Sequence, residues 1–418
     1  MFKAINRLIL SGLLIIIFTN YSYGKVICGI KKEPVILIVS GWQSVNIGDI
    51  AHTPGLLHLI EQHIPEAKII LWKVGKSEMV VDLLKKNFPK VEIIHGNPDN
   101  NMLIDSVMNV ADLFIHGSGP YMVASKHIKK WMSLSDKPFG FFGVTFENPS
   151  NDVVQILKKA SFIFPRDTES IQHLKKVGIE GKHVIFGPDA TFALHIRDDN
   201  KAQDFMKKHS LKEKEFLCIV NRLRITPYWW AHPNYISEEE IKKRNEINEK
   251  WKYDDHAKLC DAITYWVRNT KKPVVICPEM DYQLETWDEL IIDKLPEDVK
   301  PFIIKHDYWL PDEAISLYQY AYSLISMECH SVIMALVVGT PVFYLRQPQD
   351  TIKGQMFYDL LLSRWVFEIE KSTGEQISNR LSEIINDYPG ALKYLRNAHN
   401  IIDKQYQQCF KIINKTIR

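Results

Sequence analysis

The sequence predicts an α/β protein made of two doubly wound, parallel-sheet domains of the Rossmann-like type. Short apolar runs typical of buried strands alternate with helical patterns from one end of the chain to the other. Strands that alternate with helices form parallel sheets with both faces covered. At 418 residues the chain is also longer than one such core usually reaches, so we expect two domains.

The strand-like runs divide into two groups. Those of the first half are PVILIVSG, AKIILWKV, KVEIIHG, ADLFIHGSGP, KPFGFFGV, ASFIFPRD and HVIFGPD, and those of the second are EFLCIVNRLR, KPVVICPE, PFIIKHDYW, AYSLISME and TPVFYLRQ. A polar, charged segment separates the groups. We therefore place an N-terminal domain at 33–195, a C-terminal domain at 210–390 and a C-terminal helix at 391–418. Residues 223–256 interrupt the second half as an insertion between a strand and its following helix.

The N-terminus predicts export from the cytoplasm. Residues 1–24 contain the basic residues Lys3 and Arg7, then an apolar run at 8–18, and end with the small residues Ser22 and Gly24 at the −3 and −1 positions. This is the pattern of a cleaved signal peptide, with a signal anchor as the alternative. The run is shorter than the roughly 20 residues that a transmembrane helix needs. We therefore expect a periplasmic or secreted protein with no stable membrane insertion after cleavage.

The charge balance excludes a nucleic-acid partner. The chain has 52 basic and 50 acidic residues, and residues 1–24 hold two of the basic ones and no acidic one. The mature chain therefore has 50 of each and is formally neutral, whereas nucleic-acid-binding proteins have a basic surplus.

The six cysteines are scattered and form no CxxC pair. Such spacing is not a disulfide framework, and it offers no zinc site. We expect most of them to be buried thiols and expect no bound metal. A single disulfide among them is the alternative.

Polar residues follow several predicted strands. The first strand leads into NIGD, with Asn46 and Asp49, the fourth into HGSGP, with His116, and the sixth into RDTES, with Arg166. Ligands of open α/β sheets bind at this carboxyl edge, and helix N-termini there favour anions. For Asp167, which follows Arg166, capping of the next helix is the alternative.

Two more groups lie at strand ends of the second half. The stretch SMECHSVIMALVVGTPVFYL places Glu328 and His330 at the start of a buried helix, and VVICPEMDYQ places Glu279 just past a strand. Two carboxylates and a histidine are the equipment of acid/base chemistry on glycans. Helix capping is the alternative for both glutamates.

The segment NRLRITPYWW adds Arg222, Arg224 and Trp229. Guanidinium groups suit the carboxylate of an acidic sugar or of pyruvate, and a flat aromatic ring covers the apolar face of a sugar. Packing of the insertion onto the body of the protein is the alternative for Trp229.

Five motifs in this order resemble the polysaccharide pyruvyl transferase family, whose members attach pyruvate ketals to glycans from phosphoenolpyruvate. They are NIGD at 46–49, HGSGP at 116–120, RDTESIQHLKKVG at 166–178, GPDATFAL at 187–194 and ECHSVIMALVVGTP at 328–341. The resemblance runs from about residue 35 to 367. It implies a glycosyltransferase-B fold with the active site in the inter-domain cleft.

The resemblance also implies roles for single residues. Carried over by position, the family's donor-binding arginine, histidine and lysine correspond to Arg166, His330 and Lys353. Phosphoenolpyruvate would be the donor substrate, a polysaccharide or oligosaccharide would be the acceptor, and no other cofactor is implied. Lysine and arginine suit the phosphate and carboxylate of such a donor.

Glu328 departs from the family pattern, because an arginine usually begins the late motif. A carboxylate at that place reverses the local charge and repels an anionic donor. The signal peptide is a second departure, since phosphoenolpyruvate is a cytosolic metabolite. We therefore expect a pyruvyl transferase-like enzyme acting on an acidic or pyruvylated glycan. The alternatives are a secreted hydrolase of a pyruvyl ketal or glycosidic bond, with Glu328 and His330 as acid and base, and a non-catalytic glycan-binding protein.

Overall fold

The computed structural model describes residues 33–99, 101–231 and 235–417. The predicted signal peptide and Cys28 lie outside these residues. Helices and strands alternate along the chain, as the apolar runs predict.

The first sheet has six parallel strands in the order β3-β2-β1-β4-β5-β6. They are β1 (Val35–Ser40), β2 (Lys68–Lys73), β3 (Glu92–Ile94), β4 (Leu113–His116), β5 (Phe139–Val144) and β6 (Phe162–Pro165). The run HVIFGPD, expected as a further strand, forms only an isolated bridge between Val184 and Ile163.

Both faces of the first sheet are buried, which explains why its strands are apolar without alternation. Ile36 and Ile38 of β1 pack into one core, and Leu37 and Val39 pack into another. The helices of this half are α1 (Ile47–His63), α2 (Glu78–Asn87), α3 (Met102–Val110), α4 (Ser125–Leu134), α5 (Asn151–Leu157) and α6 (Thr168–Lys176). Residues 35–176 thus form the doubly wound layer structure that the alternation predicts.

The second sheet also has six parallel strands, in the order β12-β11-β10-β7-β8-β9. They are β7 (Leu217–Val220), β8 (Val274–Ile276), β9 (Ile303–Lys305), β10 (Ser323–Ser326), β11 (Val342–Arg346) and β12 (Val366–Glu368). The edge strand β12 has only three residues, and the sequence pattern did not reveal it.

The helices of the second half include an unusually long one. They are α7 (Asp199–Lys208), α8 (Tyr228–Ala231), α9 (Glu238–Thr270), α10 (Trp287–Leu290), α11 (Pro311–Tyr320), α12 (Cys329–Val337), α13 (Gln355–Asp359), α14 (Gly374–Asn386) and α15 (Tyr388–Ile417). The expected insertion at 223–256 is not one irregular loop. It contains α8 and the first half of the 33-residue α9, which leads back to the sheet at β8.

The C-terminal helix α15 returns to the first sheet. The Tyr406 hydroxyl donates to the backbone carbonyl of Asp189 at 2.7 Å, and the Phe410 ring lies 5.8 Å from that of Phe142. The chain end thus ties the second half to the first.

The carboxyl edges of the two sheets meet through their loops. The N–H of Ile47 donates to the carbonyl of Glu279 at 2.9 Å, and Asn46 forms an antiparallel bridge with Met280. The strand-end residues of both sheets are therefore brought into one region.

Within the described residues, no helix combines the length and hydropathy needed to cross a membrane. The described cysteines are free and buried thiols: Cys218, Cys260, Cys277, Cys329 and Cys409.

Candidate functional site

Glu328 occupies the N-cap position of α12, directly after β10, but its side chain does not cap the helix. The Ser326 hydroxyl accepts from the N–H of Glu328 at 2.9 Å and donates to its carbonyl at 2.7 Å. Ser326 thus fixes the backbone of this turn, and the carboxyl group of Glu328 turns to other partners. The capping alternative for this residue is wrong.

Glu279 and His330 form a buried pair across two strand ends. The Nδ1 of His330 lies 3.3 Å from Oε1 of Glu279. Burial raises the pKa of Glu279, but hydrogen bonds from His330 and Ser331 outweigh it and leave that pKa lowered. Burial also favours a neutral imidazole, but Cys329 and Glu279 raise the pKa of His330 well above its ordinary value. The pair therefore carries opposite charges.

Glu279 also caps a helix, but not the one that follows its own strand. Its Oε2 accepts from the backbone N–H of Ser331 at 2.7 Å and from the hydroxyl of Ser331 at 2.8 Å. That N–H belongs to the first turn of α12, where backbone donors have no partner within the helix. Glu279 therefore fixes the helix that carries His330.

His52 of α1 links this pair to the first sheet. Its Nε2 lies 3.0 Å from Nε2 of His330 and 3.4 Å from Oδ2 of Asp189. Asp189 in turn accepts from Nη1 of Arg166 at 2.7 Å. Burial raises the pKa of Asp189, but His52 and Arg166 outweigh it and hold that pKa well below its usual range. A chain of charged and hydrogen-bonded groups thus crosses the cleft.

Arg166 lies behind this chain. It is only 1% exposed, and its Nε donates to the hydroxyl of Thr145 at 2.7 Å. The neighbouring Asp167 caps α6 by accepting from the N–H of Ser170 at 2.6 Å, so the capping alternative for Asp167 is confirmed. Burial raises the pKa of Asp167 to about 6, although the hydrogen bonds from Ser170 lower it.

Glu328 contacts two polar groups of the second half. Its Oε1 accepts from Nε2 of Gln283 at 3.3 Å, and its Oε2 lies 3.4 Å from Nε of Arg222. Burial raises the pKa of Glu328 well above its usual range, and the nearby carboxylates Glu279 and Asp350 add to this shift while Arg222 opposes it. Because burial disfavours the charged form, Glu328 is the candidate proton donor of this cluster.

Asp350 joins the remaining cations. It accepts from Nη1 of Arg222 and from the hydroxyl of Tyr344, and its Oδ1 lies 3.2 Å from Nζ of Lys353. Burial raises the pKa of Asp350, but Arg222 and Lys353 outweigh it and lower that pKa strongly. Burial lowers the pKa of Lys353, while Cys329 and Asp350 raise it. Arg166, His330 and Lys353 were expected to bind a donor. Their carboxylate partners are Asp189, Glu279 and Asp350, respectively.

Asn46 and Asp49 shape the entrance from the first sheet. The side chain of Asn46 accepts from the N–H groups of Gly48 and Asp49 at 2.8 and 3.0 Å and so caps α1. Asp49 is partly exposed and lies 4.0 Å from Nδ1 of His52. Burial and the carboxylates of Asp49 and Glu328 raise the pKa of Tyr228 well above its usual range, which places this ring beside the same cleft.

Asp49, His52 and His330 form the one group of potential metal ligands found within the described residues, with ligand atoms within 4.8 Å of one another. The facing nitrogens of the two histidines are 3.0 Å apart, which is a hydrogen-bond distance. In this arrangement one nitrogen donates to the other, so we interpret the group as a hydrogen-bonded cluster.

Three residues expected at the site lie apart from this cluster. His116 is fully buried, accepts from the N–H of Ala124 at 3.2 Å, and has its pKa lowered by burial to about 4. Arg224 forms a two-pronged ion pair with Asp255 at 2.8 and 2.9 Å. Trp229 is buried at 8% exposure. These contacts give all three a packing role in the structure.

The structure adds residues that the sequence did not single out: His52, Asp350, Gln283 and Ser331. It also gives Asp189, from the GPDATFAL motif, a place in the site. His52 stands three residues after Asp49 on one helix, and Asp350 stands three residues before Lys353. Side chains three apart on a helix share a face, so the first spacing was a usable signal. No sequence signal points to Gln283, which reaches Glu328 from a short 3₁₀ turn.

Solved structures of a glycosyltransferase and of an epimerase share the fold. The chain superposes on a glycosyltransferase from Rickettsia africae with a TM-score of 0.57 at 12% identity, covering 92% of this chain and 98% of that one. A UDP-GlcNAc 2-epimerase from Neisseria meningitidis bound to UDP-GlcNAc gives a TM-score of 0.55 at 13% identity, covering 91% and 99%. No curated protein sequence matched the chain. At these identities the likeness concerns the fold, which is of the glycosyltransferase-B type.

The family model of polysaccharide pyruvyl transferases matches residues 46–347, from the NIGD motif through the late motif to the end of the strand that follows it. This span holds Arg166, Glu279 and His330, together with the helices and strands that position them. The chain therefore belongs to the polysaccharide pyruvyl transferase family.

Proposed function

We propose that the protein transfers the pyruvyl group of phosphoenolpyruvate to two hydroxyls of an acidic glycan outside the cytoplasm. The observation that carries this proposal is a buried Glu328 with a raised pKa, in contact with Arg222 and close to Lys353 and to the ion pair of Glu279 and His330. Such a set offers both a proton donor and cations in one water-poor cleft.

The transfer needs a proton donor. One glycan hydroxyl bonds to the central carbon of the enol while Glu328 protonates the methylene carbon, which becomes a methyl group. A second hydroxyl then displaces phosphate from the same carbon and completes the ketal. Of the two hydroxyl protons, one restores Glu328 and the other leaves with the phosphate. Lys353 and Arg222 are placed to stabilise the departing phosphate.

Secretion is part of the proposal, and residues 1–24 support it. An exported transferase also requires that the donor reach the same compartment. A cell that secretes this enzyme must therefore export either phosphoenolpyruvate or a carrier of its pyruvyl group.

Hydrolysis is the second candidate, and the charge balance favours it. Arg166 is held by Asp189, while Arg222 and Lys353 share Asp350. Because these cations are paired, a trianionic donor must compete with carboxylates inside the protein. A pyruvyl ketal or glycosidic bond makes no such demand, since water attacks and Glu328 protonates the departing oxygen. A purely binding role gains no support from a buried acid with a raised pKa beside an ion pair.

The test is incubation of the purified protein with acidic polysaccharides, with and without phosphoenolpyruvate, and with pyruvylated polysaccharides alone. We expect phosphate release and a pyruvate ketal on the glycan only when the donor is present. Release of pyruvate or of shorter glycans without the donor would show that the protein is a hydrolase and not a transferase. Binding with no product in any mixture would contradict both enzymatic functions.

A further inference from the structure

A cavity of 560 Å³ opens beside Arg222, between the segment after β7 and the first half of α9. Its size falls within the range of roughly 300–1,000 Å³ that is usual for small-ligand sites. Arg222 lines its buried end, and Lys243, Arg244 and Ile247 of α9 line its exposed side. Arg222 also contacts Glu328, so the cavity adjoins the candidate site through this one side chain.

Two cations lie at the open side of this cavity. Four basic side chains line it, but Arg222 pairs with Asp350 and Glu328, and Arg224 pairs with Asp255 and Glu370. This leaves Lys243 and Arg244 beside a single lining carboxylate, that of Glu240. The ion pair of Lys243 with Glu239 is 62% and 79% exposed, so it contributes little and leaves the ammonium group available. Glu240 holds Arg244 through Nε, and the planar guanidinium has two further nitrogens for a bidentate anion.

Two features suit a sugar rather than a bare anion. The Oε1 atom of Gln349, which lines the cavity, is buried and has no hydrogen-bond partner within the described residues, so it can accept from a hydroxyl. Tyr228 and the partly exposed Ile247 supply apolar lining for a sugar ring. Nearby on the same segment, Trp230 exposes 52% of its surface, whereas Trp229 is buried.

We propose that this cavity is the binding site for an anionic glycan, with Lys243 and Arg244 contacting its carboxylate or sulfate groups and Gln349 accepting from a hydroxyl. The inference rests on the proposed function for the direction of the glycan, whose reacting unit would lie beside Arg222 and Glu328. Glycan binding to the cavity can be measured without any reaction. The binding site is therefore tested independently of the proposed transfer reaction.

The test measures binding of three tetrasaccharides with one backbone by calorimetry: cellotetraose, its C6-oxidised glucuronic acid form and its sulfated form. We expect at least one anionic form to bind ~10-fold or more tightly than cellotetraose, with an affinity that falls as salt rises. Tighter binding of the uronic acid form identifies a carboxylated glycan, and tighter binding of the sulfated form identifies a sulfated one.

Charge reversal tests the location. Lys243→Glu combined with Arg244→Glu should weaken binding of the anionic form ~10-fold or more. The single reversal Lys243→Glu is compared with Lys242→Glu, which makes the same change on the neighbouring position of α9, outside the cavity lining. Lys243→Glu should weaken binding, and Lys242→Glu should stay within about twofold of the wild type. Equal affinity for the neutral form, equal effects of the two single reversals, or no binding of either anionic form would overturn the proposal. Binding without product formation would keep the cavity and remove only the proposed function.

Discussion

A Cβ atom on Gly48 would lie 2.3 Å from Nδ1 of His330. Atoms cannot approach so closely, so the first turn of α1 reaches the catalytic cleft only because residue 48 has no side chain. The glycine of the NIGD motif is thus explained by packing against a histidine 282 positions further along the chain.

This contact predicts that Gly48→Ala displaces His330 while the fold survives. A shift of about 1 Å in a catalytic group can cost ~10²-fold in rate, so we expect a loss of that order in product formation. Circular dichroism should be unchanged. The double variant with His330→Ala should be no slower than His330→Ala alone, because both changes act on one ring. Additive losses would show that Gly48 acts elsewhere.

Glu328→Gln keeps the shape of the side chain and removes its proton. We expect the rate to fall ~10²–10⁴-fold, since general acid catalysis contributes about this much. Stability should be retained, because the raised pKa of Glu328 shows that burial disfavours its charged form. In the wild type, activity should decrease as the pH rises through the raised pKa of Glu328. Glu313→Gln changes a carboxyl group on α11, and it should leave the rate unaffected. Full activity of Glu328→Gln would show that Glu328 is not the proton donor.

The fold was predictable because both sheets are buried on two faces, which leaves long apolar runs such as VILIVS in β1. The run HVIFGPD was wrongly predicted to be a strand, because its apolar residues belong to a loop that packs on β6. The three-residue β12 was missed because so short an edge strand carries no periodic signal. The extent of α9 was hidden because its first turns are mostly exposed and charged.

The site was predictable where strand ends carry polar residues, and the structure places Glu279, Glu328, His330, Arg222 and Lys353 together. The partners of these residues were harder to find. Asp350 precedes Thr351, whose φ of 58° turns the chain sharply, and sequence pattern does not reveal such a turn. The choice between Trp229 and Trp230 was also open, since only the packing of the short α8 decides which ring is buried.

Asp350→Asn should free the cations that Asp350 now occupies. Without its charge, Arg222 and Lys353 lack their shared partner, and we expect phosphate and phosphoenolpyruvate to bind ~10-fold or more tightly in calorimetry. Loss of one partner of a buried ion pair should also destabilise the fold by about 3–5 kcal/mol, measured in urea. Unchanged anion affinity would show that these cations do not face the ligand.

Export predicts a processed chain. Protein isolated from the producing cells should begin near Lys25 and be recovered outside the cytoplasm, because residues 1–24 have the features of a cleaved signal peptide. Intact-mass analysis measures this directly. A mass that includes residues 1–24 would contradict cleavage, and recovery in the cytoplasmic fraction would contradict export.

Two buried histidines predict a loss of stability in mild acid. Burial lowers the pKa of both His116 and His256 to about 4 in the folded protein, from an ordinary value of 6.5. The unfolded chain therefore binds more protons than the folded one between these values. The contribution of these two histidines to the free energy of unfolding must fall as the pH falls from 6.5 towards 4.

Each histidine should contribute about 2 kcal/mol to the difference in unfolding free energy between pH 7.5 and pH 5. Asp167 acts in the opposite direction, because its raised pKa of about 6 favours the folded state as the pH falls. We therefore compare urea unfolding of the wild type with that of His116→Gln/His256→Gln at both pH values. Whatever its stability at pH 7.5, the double variant should change less in stability between the two pH values, by about 4 kcal/mol in total. An equal change in both proteins would show that neither histidine is neutral in the folded state.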